Sequence, residues 1–406
     1  MPDVEYEPVS VKAVLSEMKD TAELLIDLSY SAVLSGSDEV AEEVLALEER
    51  MDVLQLQARM SLLLAARSPE DAEQLAPVLG VVGAAEKIAD AAGDIAKIVL
   101  EDIGLPEAMR AAIPEATEAL VRATVDADSA YAGETLGEIN METERGVRAI
   151  AVRRASETGK RAWITNPDAE TRIDAGDVLL LRGLDEGLAD VYRDATGEAY
   201  EPPEPAEAPT ADLERAVDSI VTMKDTSELA VDLAYGSVLF DSEAVAEEVV
   251  ELEAEVDALK SRLEAWTLRA AGRVDDPVEL RGLVHLAAAT EVISDAALEI
   301  SEGVLRGLDA HPVVAAAVEE SDEVIVRLTV SEGAEIADRT LGDLELGTET
   351  GCRVIAVRRP GDEQSWVVSP DAGTRLSAGD VLVAKGTRAG AERLSEMAGD
   401  PRKFDA

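Results

Sequence analysis

Cysteine occurs once, at Cys352, so the chain can form no internal disulfide and no thiolate zinc site. Histidine occurs twice, as His285 in an apolar run and His311 before a proline; both read as structural. Aromatic residues make up 3% of the chain, and only nine of the 37 basic residues are lysine. Positive charge is therefore scarce: 85 acidic residues give a net charge of -48. Such a field repels phosphate backbones, which argues against binding to DNA or RNA. A disordered acidic tail is also a poor reading, because 47% of the residues are hydrophobic and clearly periodic. The composition instead suits a folded protein in a salt-rich cytoplasm, where screening reduces self-repulsion. No window holds the 18 or more apolar residues of a membrane span, and MPDVEYEPVS lacks the basic and apolar parts of a signal peptide. A soluble cytoplasmic protein without membrane insertion is expected. Also missing are a P-loop, a G-x-G-x-x-G after a strand, and a Ser/His/Asp or Cys/His pair, so no enzyme is expected.

What is present is a duplication. Met18-Lys19-Asp20-Thr21 returns as Met223-Lys224-Asp225-Thr226, an offset of 205, which falls to 203 after Arg154 and Arg359. A Pro/Glu-rich spacer, YEPPEPAEAPT, separates the two copies and reads as extended linker. Each copy begins with helical periodicity. Val11, Val14, Leu15, Met18, Leu25 and Leu28 mark one amphipathic helix to about Leu34. Gly36-Ser37-Asp38 breaks and caps it. A second helix runs from about Asp38 to Ala66, and a third starts at Ser68-Pro69 and reaches about Ile103. Pro77 is expected to kink or split the third, and Gly282 holds the matching place.

The period then changes. Leu120–Val125 and Val324–Val330 read as strands, followed by a short helix at Thr135–Ile139 or Thr340–Leu344. Further strands are expected at Val147–Val152, Trp163–Thr165 and Val178–Leu181, with twins at Arg353–Val357, Trp366–Val368 and Val381–Ala384. The tryptophans read as core. Acidity belongs mainly to the helices: residues 1–106 carry 22 acidic and seven basic side chains, residues 119–183 carry 11 and nine.

The run Glu86-Lys-Ile-Ala-Asp90-Ala-Ala-Gly-Asp94-Ile resembles the E-R-I-x-D-x-A-x-x-I helix of the PhoU family, and DEVAEEVLALEERMDVL resembles its acidic second helix. Thr135-Leu136-Gly137, the Val147–Arg154 strand and Pro167-Asp168…Thr171…Ala175-Gly176-Asp177-Val178-Leu179 resemble the C-terminal domain of RCK/TrkA-type potassium-transport regulators. The resemblance is to a tandem, haloarchaeal-type protein of that regulator family. It implies a multidomain α plus α+β chain in which two PhoU-like three-helix modules (8–105 and 212–310) alternate with two small TrkA-C-like α+β modules (112–196 and 316–398). The linker is 197–211. The usual dinucleotide-binding domain is missing, so nicotinamide sensing is not carried over. The resemblance further implies a potassium or other cation channel or transporter subunit in the membrane as partner, and leaves a homodimer open. A phosphate-uptake adaptor and a metal-binding helical protein are the alternative functions.

Two sets of candidate residues follow. Glu86, Asp90 and Asp94 lie at i, i+4 and i+8 on one helix face, as do Glu291, Asp295 and Glu299. The first helices carry Asp20, Glu23 and Asp27, with Asp225, Glu228 and Asp232 in the second copy. Were these helices to face each other, about four to six carboxylate oxygens would meet, a set suited to a hard divalent metal or iron. A solvated acidic face is the competing reading, since 85 of 406 residues are acidic. The PhoU resemblance implies E-x-x-x-D metal sites at Glu23/Asp27, Glu86/Asp90, Glu228/Asp232 and Glu291/Asp295. The second set is arginines at matched positions of the β modules: Arg122, Arg153 and Arg154 with Arg327, Arg358 and Arg359. They serve either internal ion pairs or a site for a small anionic ligand. The TrkA-C resemblance implies effectors such as a cyclic dinucleotide.

Overall fold

The computed structural model describes residues 10–66, 68–105, 109, 119–155, 161–165, 167–183, 185–200, 210–308, 312–320, 323–344, 346, 350–359, 366–368, 370 and 372–400. The core of the Pro/Glu-rich spacer and His311 lie outside them.

Each copy begins with three helices: α1 (Val11–Ser35), α2 (Asp38–Ala65) and α3 (Pro69–Leu100) in the first. Gly36, at φ 63°, ends α1 in the left-handed conformation that glycine adopts without penalty. Ser37 then accepts a hydrogen bond from Val40 N and starts α2. A mixed module follows: β1 (Ala119–Thr124), α4 (Leu136–Ile139), α5 (Met141–Arg145), β2 (Val147–Ala155), β3 (Arg161–Thr165), β4 (Val178–Gly183) and α6 (Asp185–Thr196). The second copy repeats the pattern with α7 (Ala211–Leu239), α8 (Glu243–Ala271) and α9 (Arg281–Leu305), then α10 (Pro312–Glu320). Its mixed module holds β5 (Glu323–Thr329), α11 (Leu341–Leu344), β6 (Cys352–Arg358), β7 (Trp366–Val368), β8 (Val381–Thr387) and α12 (Arg388–Ala398). Both sheets are antiparallel, in the orders β1-β4-β2-β3 and β5-β8-β6-β7. Among the described residues no helix is long and apolar enough to cross a membrane.

The six long helices share one hydrophobic core. Across its middle α3 and α9 run antiparallel: Lys87 pairs with Glu299, and Gly282 N donates to Gly104 O at 2.7 Å. Tyr30 donates to Thr290 Oγ1 at 2.5 Å, joining α1 to α9. Pro77 does not split α3, which runs through it. A Cβ on Gly303 would stand 3.5 Å from Pro77 Cβ, and one on Gly282 would lie 2.3 Å from Gly104 O. These weak helix formers thus sit where the two copies cross, and close packing offsets their propensity cost.

Each sheet has two buried faces. Val121, Ala123, Val152, Leu179 and Leu181 pack with α6 in one cluster, and the second sheet has a matching cluster with α12. The opposite faces join the helical core through Ile150, Ala151 and Leu180, and through Ile325, Ile355, Ala356 and Val383. In both sheets a bulge, between Ala149 and Ala151 or between Val354 and Ala356, turns two successive residues toward the helices. Side chains alternate along a strand, so the residue two beyond each apolar anchor faces the helices too. That residue is basic: Leu120 then Arg122, Ala151 then Arg153, Leu180 then Arg182, and Ile325 then Arg327, Ala356 then Arg358, Val383 then Lys385.

Candidate functional site

The basic residues of the sheets meet the carboxylates of the first helices in a buried seam. Lys385 Nζ lies 2.9 Å from Asp232 Oδ1 on α7 and 3.2 Å from Glu23 Oε2 on α1. Arg182, its twin, lies 3.1 Å from Asp27. Lys19 pairs with Glu23 and Lys224 with Glu228, both at 2.8 Å. Lys19 is 2% exposed and also stands 5.7 Å from the centre of the Tyr235 ring, tying α1 to α7. Burial raises the Asp232 carboxyl above its ordinary range against the pull of Lys385, and raises Asp27 against Arg182. Burial acts upward on Glu228 as well, but Lys224 and Arg353 outweigh it and hold that carboxyl low. The first-helix metal candidates Glu23, Asp27, Glu228 and Asp232 therefore face ammonium and guanidinium groups of the protein itself.

The arginine candidates also have partners. Arg122 Nε donates to Glu43 Oε1 at 3.1 Å and Arg153 Nη2 to the same oxygen at 2.5 Å, with Glu39 2.8 Å from Arg122. Glu43 lies on α2 and is buried. Arg153 Nε and Glu43 Oε2 are buried without a hydrogen-bond partner. In the second copy Glu248, Arg327 and Arg358 hold the equivalent places, and each is engaged in interactions of its own. Arg154 and Arg359 have another role. Arg154 donates to Asp177 Oδ2 (2.6 Å), which also accepts from Asp174 N (2.9 Å). Arg359 binds Asp380 Oδ2 (2.5 Å), which accepts from Ser377 N (2.8 Å). The Gly-Asp-Val-Leu run is thus a turn latched to the end of β2 or β6, with Gly176 and Gly379 at φ 86° and 91°.

The α3 column meets α2, not α1. Asp52 of α2 and Glu86 and Asp90 of α3 each offer a carboxylate oxygen, all within 4.8 Å of one another. Glu48 and Asp94 flank them: burial first, then Asp90 and Asp94 among its neighbours, raises Glu48 despite Lys97. Asp90 is raised by burial and then by Asp52 and Asp94. Gly93 makes room, since a Cβ there would strike the Glu48 carboxylate. The donor set suits a hard cation. The second copy differs at several positions, with Leu298 in place of Gly93, Glu299 in place of Asp94 and Glu302 in place of Lys97. Where the first has Gln55, the second has Lys260, which pairs with Glu291. Glu299 is drawn away to Lys87, while Asp295 is raised by burial and then by Glu291 and Asp257. Glu43, Glu48 and Asp52 were missing from the sequence reading, although Glu48 and Asp52 repeat the E-x-x-x-D spacing on the acidic second helix.

Two family models match the chain, each twice. The PhoU domain matches residues 15–99 and 220–304, and the TrkA-C domain matches 120–195 and 325–399. The chain belongs to the proteins built from these two regulatory domains, two of each in alternation. Among solved structures, PhoU from Pseudomonas aeruginosa is 11% identical, with a TM-score of 0.40, over 73% of this chain and 96% of that one. The GsuK RCK domain is 17% identical, with a TM-score of 0.19, over 70% of this chain and 64% of that one. The GsuK channel bound to NAD is 17% identical, with a TM-score of 0.18, over 70% and 53%. No curated protein matches the chain.

Proposed function

We propose that the protein is a cytoplasmic regulator of potassium or other cation transport, working in a salt-rich cell, without a catalytic step of its own. Its TrkA-C domains sense a small anionic ligand and its joined PhoU domains carry the response to a membrane transporter. The observation behind this reading is the charged contact of Arg122 and Arg153 with Glu43. An incoming anion competes with Glu43 for the two guanidiniums, and Arg153 Nε has a hydrogen bond to give. Releasing Glu43 loosens the sheet from α2, so the ligand favours one docking state over another by its differential affinity. The test is calorimetric titration with a phosphate-bearing cyclic dinucleotide at high salt. Binding in the wild type and its loss in Arg153→Ala support the reading; no heat in the wild type removes it.

A second reading rests on Asp52, Glu86 and Asp90. A divalent metal or iron held there favours the PhoU-like role of phosphate-uptake adaptor or metal-binding helical protein. Under that reading the first copy takes the metal, because Lys260 already supplies a cation to the second. Binding of about one equivalent of Mn2+ that Asp90→Asn abolishes and Asp295→Asn leaves intact is the expected result; equal loss from both variants counts against it.

A further inference from the structure

The two mixed modules differ along their closing helices, α6 and α12. In the first module this place is filled with ion pairs. Arg145 at the end of α5 lies 3.1 Å from Asp194 and 3.6 Å from Asp190 on α6, and Arg193 pairs with Asp190 as well. In the second module the residue equivalent to Arg145 is Thr350, whose hydroxyl turns inward to donate to Leu346 O at 2.6 Å. Asp190, Arg193 and Asp194 are replaced by Arg393, Glu396 and Met397. Arg145 has no arginine counterpart at position 350, and a cleft of about 540 Å³ opens between the 331–344 segment and α12. That volume lies within the range of small-molecule sites, about 300–1,000 Å³.

The walls of the cleft carry both signs of charge. Arg339 and Arg393 supply guanidiniums; Glu335, Asp343 and Glu396 supply carboxylates; Leu344 and Met397 are its apolar lining residues. Arg339 is held in place by a bond to the Asp343 carbonyl. A guanidinium fork recognises a carboxylate or phosphate, and the carboxylates recognise an ammonium. A bare anion entering such a cleft meets three carboxylates, in a chain whose net charge is already -48. A bare cation entering it meets two guanidiniums. Leu344 and Met397 suit a short hydrocarbon segment between two charged ends.

We propose that this cleft in the second TrkA-C domain binds a small organic zwitterion, an amino-carboxylate whose anionic end meets Arg339 and Arg393 and whose ammonium end meets Glu335 and Glu396. In the first domain Arg145 and its ion pairs with Asp190 and Asp194 hold the equivalent place. The proposal adds a second ligand site to the sensing reading above and relies on that reading only for what binding is used for.

Calorimetric titration of the full chain tests it with 5-aminopentanoate and the dipeptide Ala-Ala as probes, and pentanoate and pentylamine as single-charge controls. The expected result is saturable binding of at least one zwitterion, tenfold or more tighter than either control. Arg393→Ala, at an exposed position, is expected to weaken it tenfold or more with an unchanged melting temperature. Pentanoate binding as tightly as 5-aminopentanoate, no heat from either zwitterion, or unchanged binding in Arg393→Ala overturns the proposal. A parallel titration with a cyclic dinucleotide and Arg153→Ala separates the two ideas. If the dinucleotide binds and the zwitterions do not, the cleft fails and anion sensing stands; the reverse outcome retains the cleft and removes the anion site.

Discussion

Replacing Lys385 with methionine removes one ammonium from between two carboxylates and leaves the side-chain volume nearly unchanged. In the native fold Lys385 is 15% exposed, and its partners Asp232 and Glu23 are 5% and 13% exposed. Lys19 then remains beside Glu23 and Arg353 near Asp232, because Arg182 serves Asp27 on the other side of the seam. Breaking a buried pair by removing one partner typically costs about 3–5 kcal/mol, much of it the desolvation of the charge left behind. Lys385→Met is therefore expected to lose about 3 kcal/mol in urea unfolding at pH 7. The pH dependence follows from the sign of the Asp232 shift. Burial raises that carboxyl in the folded state, so its ionisation disfavours the native fold, and the penalty fades as pH falls through the raised value toward the ordinary carboxylate range. The variant deepens this effect, so its deficit should shrink in acid, and Lys385→Met with Asp232→Asn should recover most of it at pH 7. Salt should change the deficit little, because buried pairs are poorly screened. A cost below about 1 kcal/mol, or one that disappears in high salt, would refute a buried seam.

Three further outcomes are expected. Asp90→Asn should stabilise the metal-free protein at pH 7 by about 0.2–0.5 kcal/mol, the cost of a like-charge helix pair; the gain should vanish below the ordinary carboxylate range, because Asp90 is raised in the folded state. Gly93→Ala should gain up to about 1 kcal/mol from helix propensity while pushing Glu48 aside, so any stabilisation by added Mn2+ should weaken; a metal response equal to wild type would exclude Glu48 from the cluster. Tyr30→Phe should cost about 1 kcal/mol in thermal unfolding, since it removes the bond to Thr290 that joins the copies; no loss would mean that the α1–α9 contact rests on packing alone.

The helices and strands were legible because hydrophobic period and turn residues agree at nearly every boundary. Expected limits of Asp38–Ala66 and Val178–Leu181 compare with Asp38–Ala65 and Val178–Gly183. Pro77 misled because propensity describes an isolated helix, whereas here the residue packs beside Gly303 of the opposite copy. The short α5 and α10 lack a long enough period to be seen. The carboxylate columns were legible as faces but not as pairs. Spacing puts Glu86 and Asp90 on one face; only packing reveals that Asp52 lies opposite and that Lys385 and Arg182 reach Glu23, Asp232 and Asp27. One signal was available in the sequence: in β1, β2, β4, β5, β6 and β8 a basic residue follows an apolar one by two positions, which marks a sheet face docked on acidic helices.

The reading of this protein as a transport regulator is tested most directly by affinity capture of the full chain from native membranes solubilised at high salt, followed by identification of what co-purifies. A potassium or other cation transporter subunit, retained by wild type and lost with Lys385→Met, is the predicted result. Capture of phosphate-uptake components instead, or of no membrane protein at all, would contradict it.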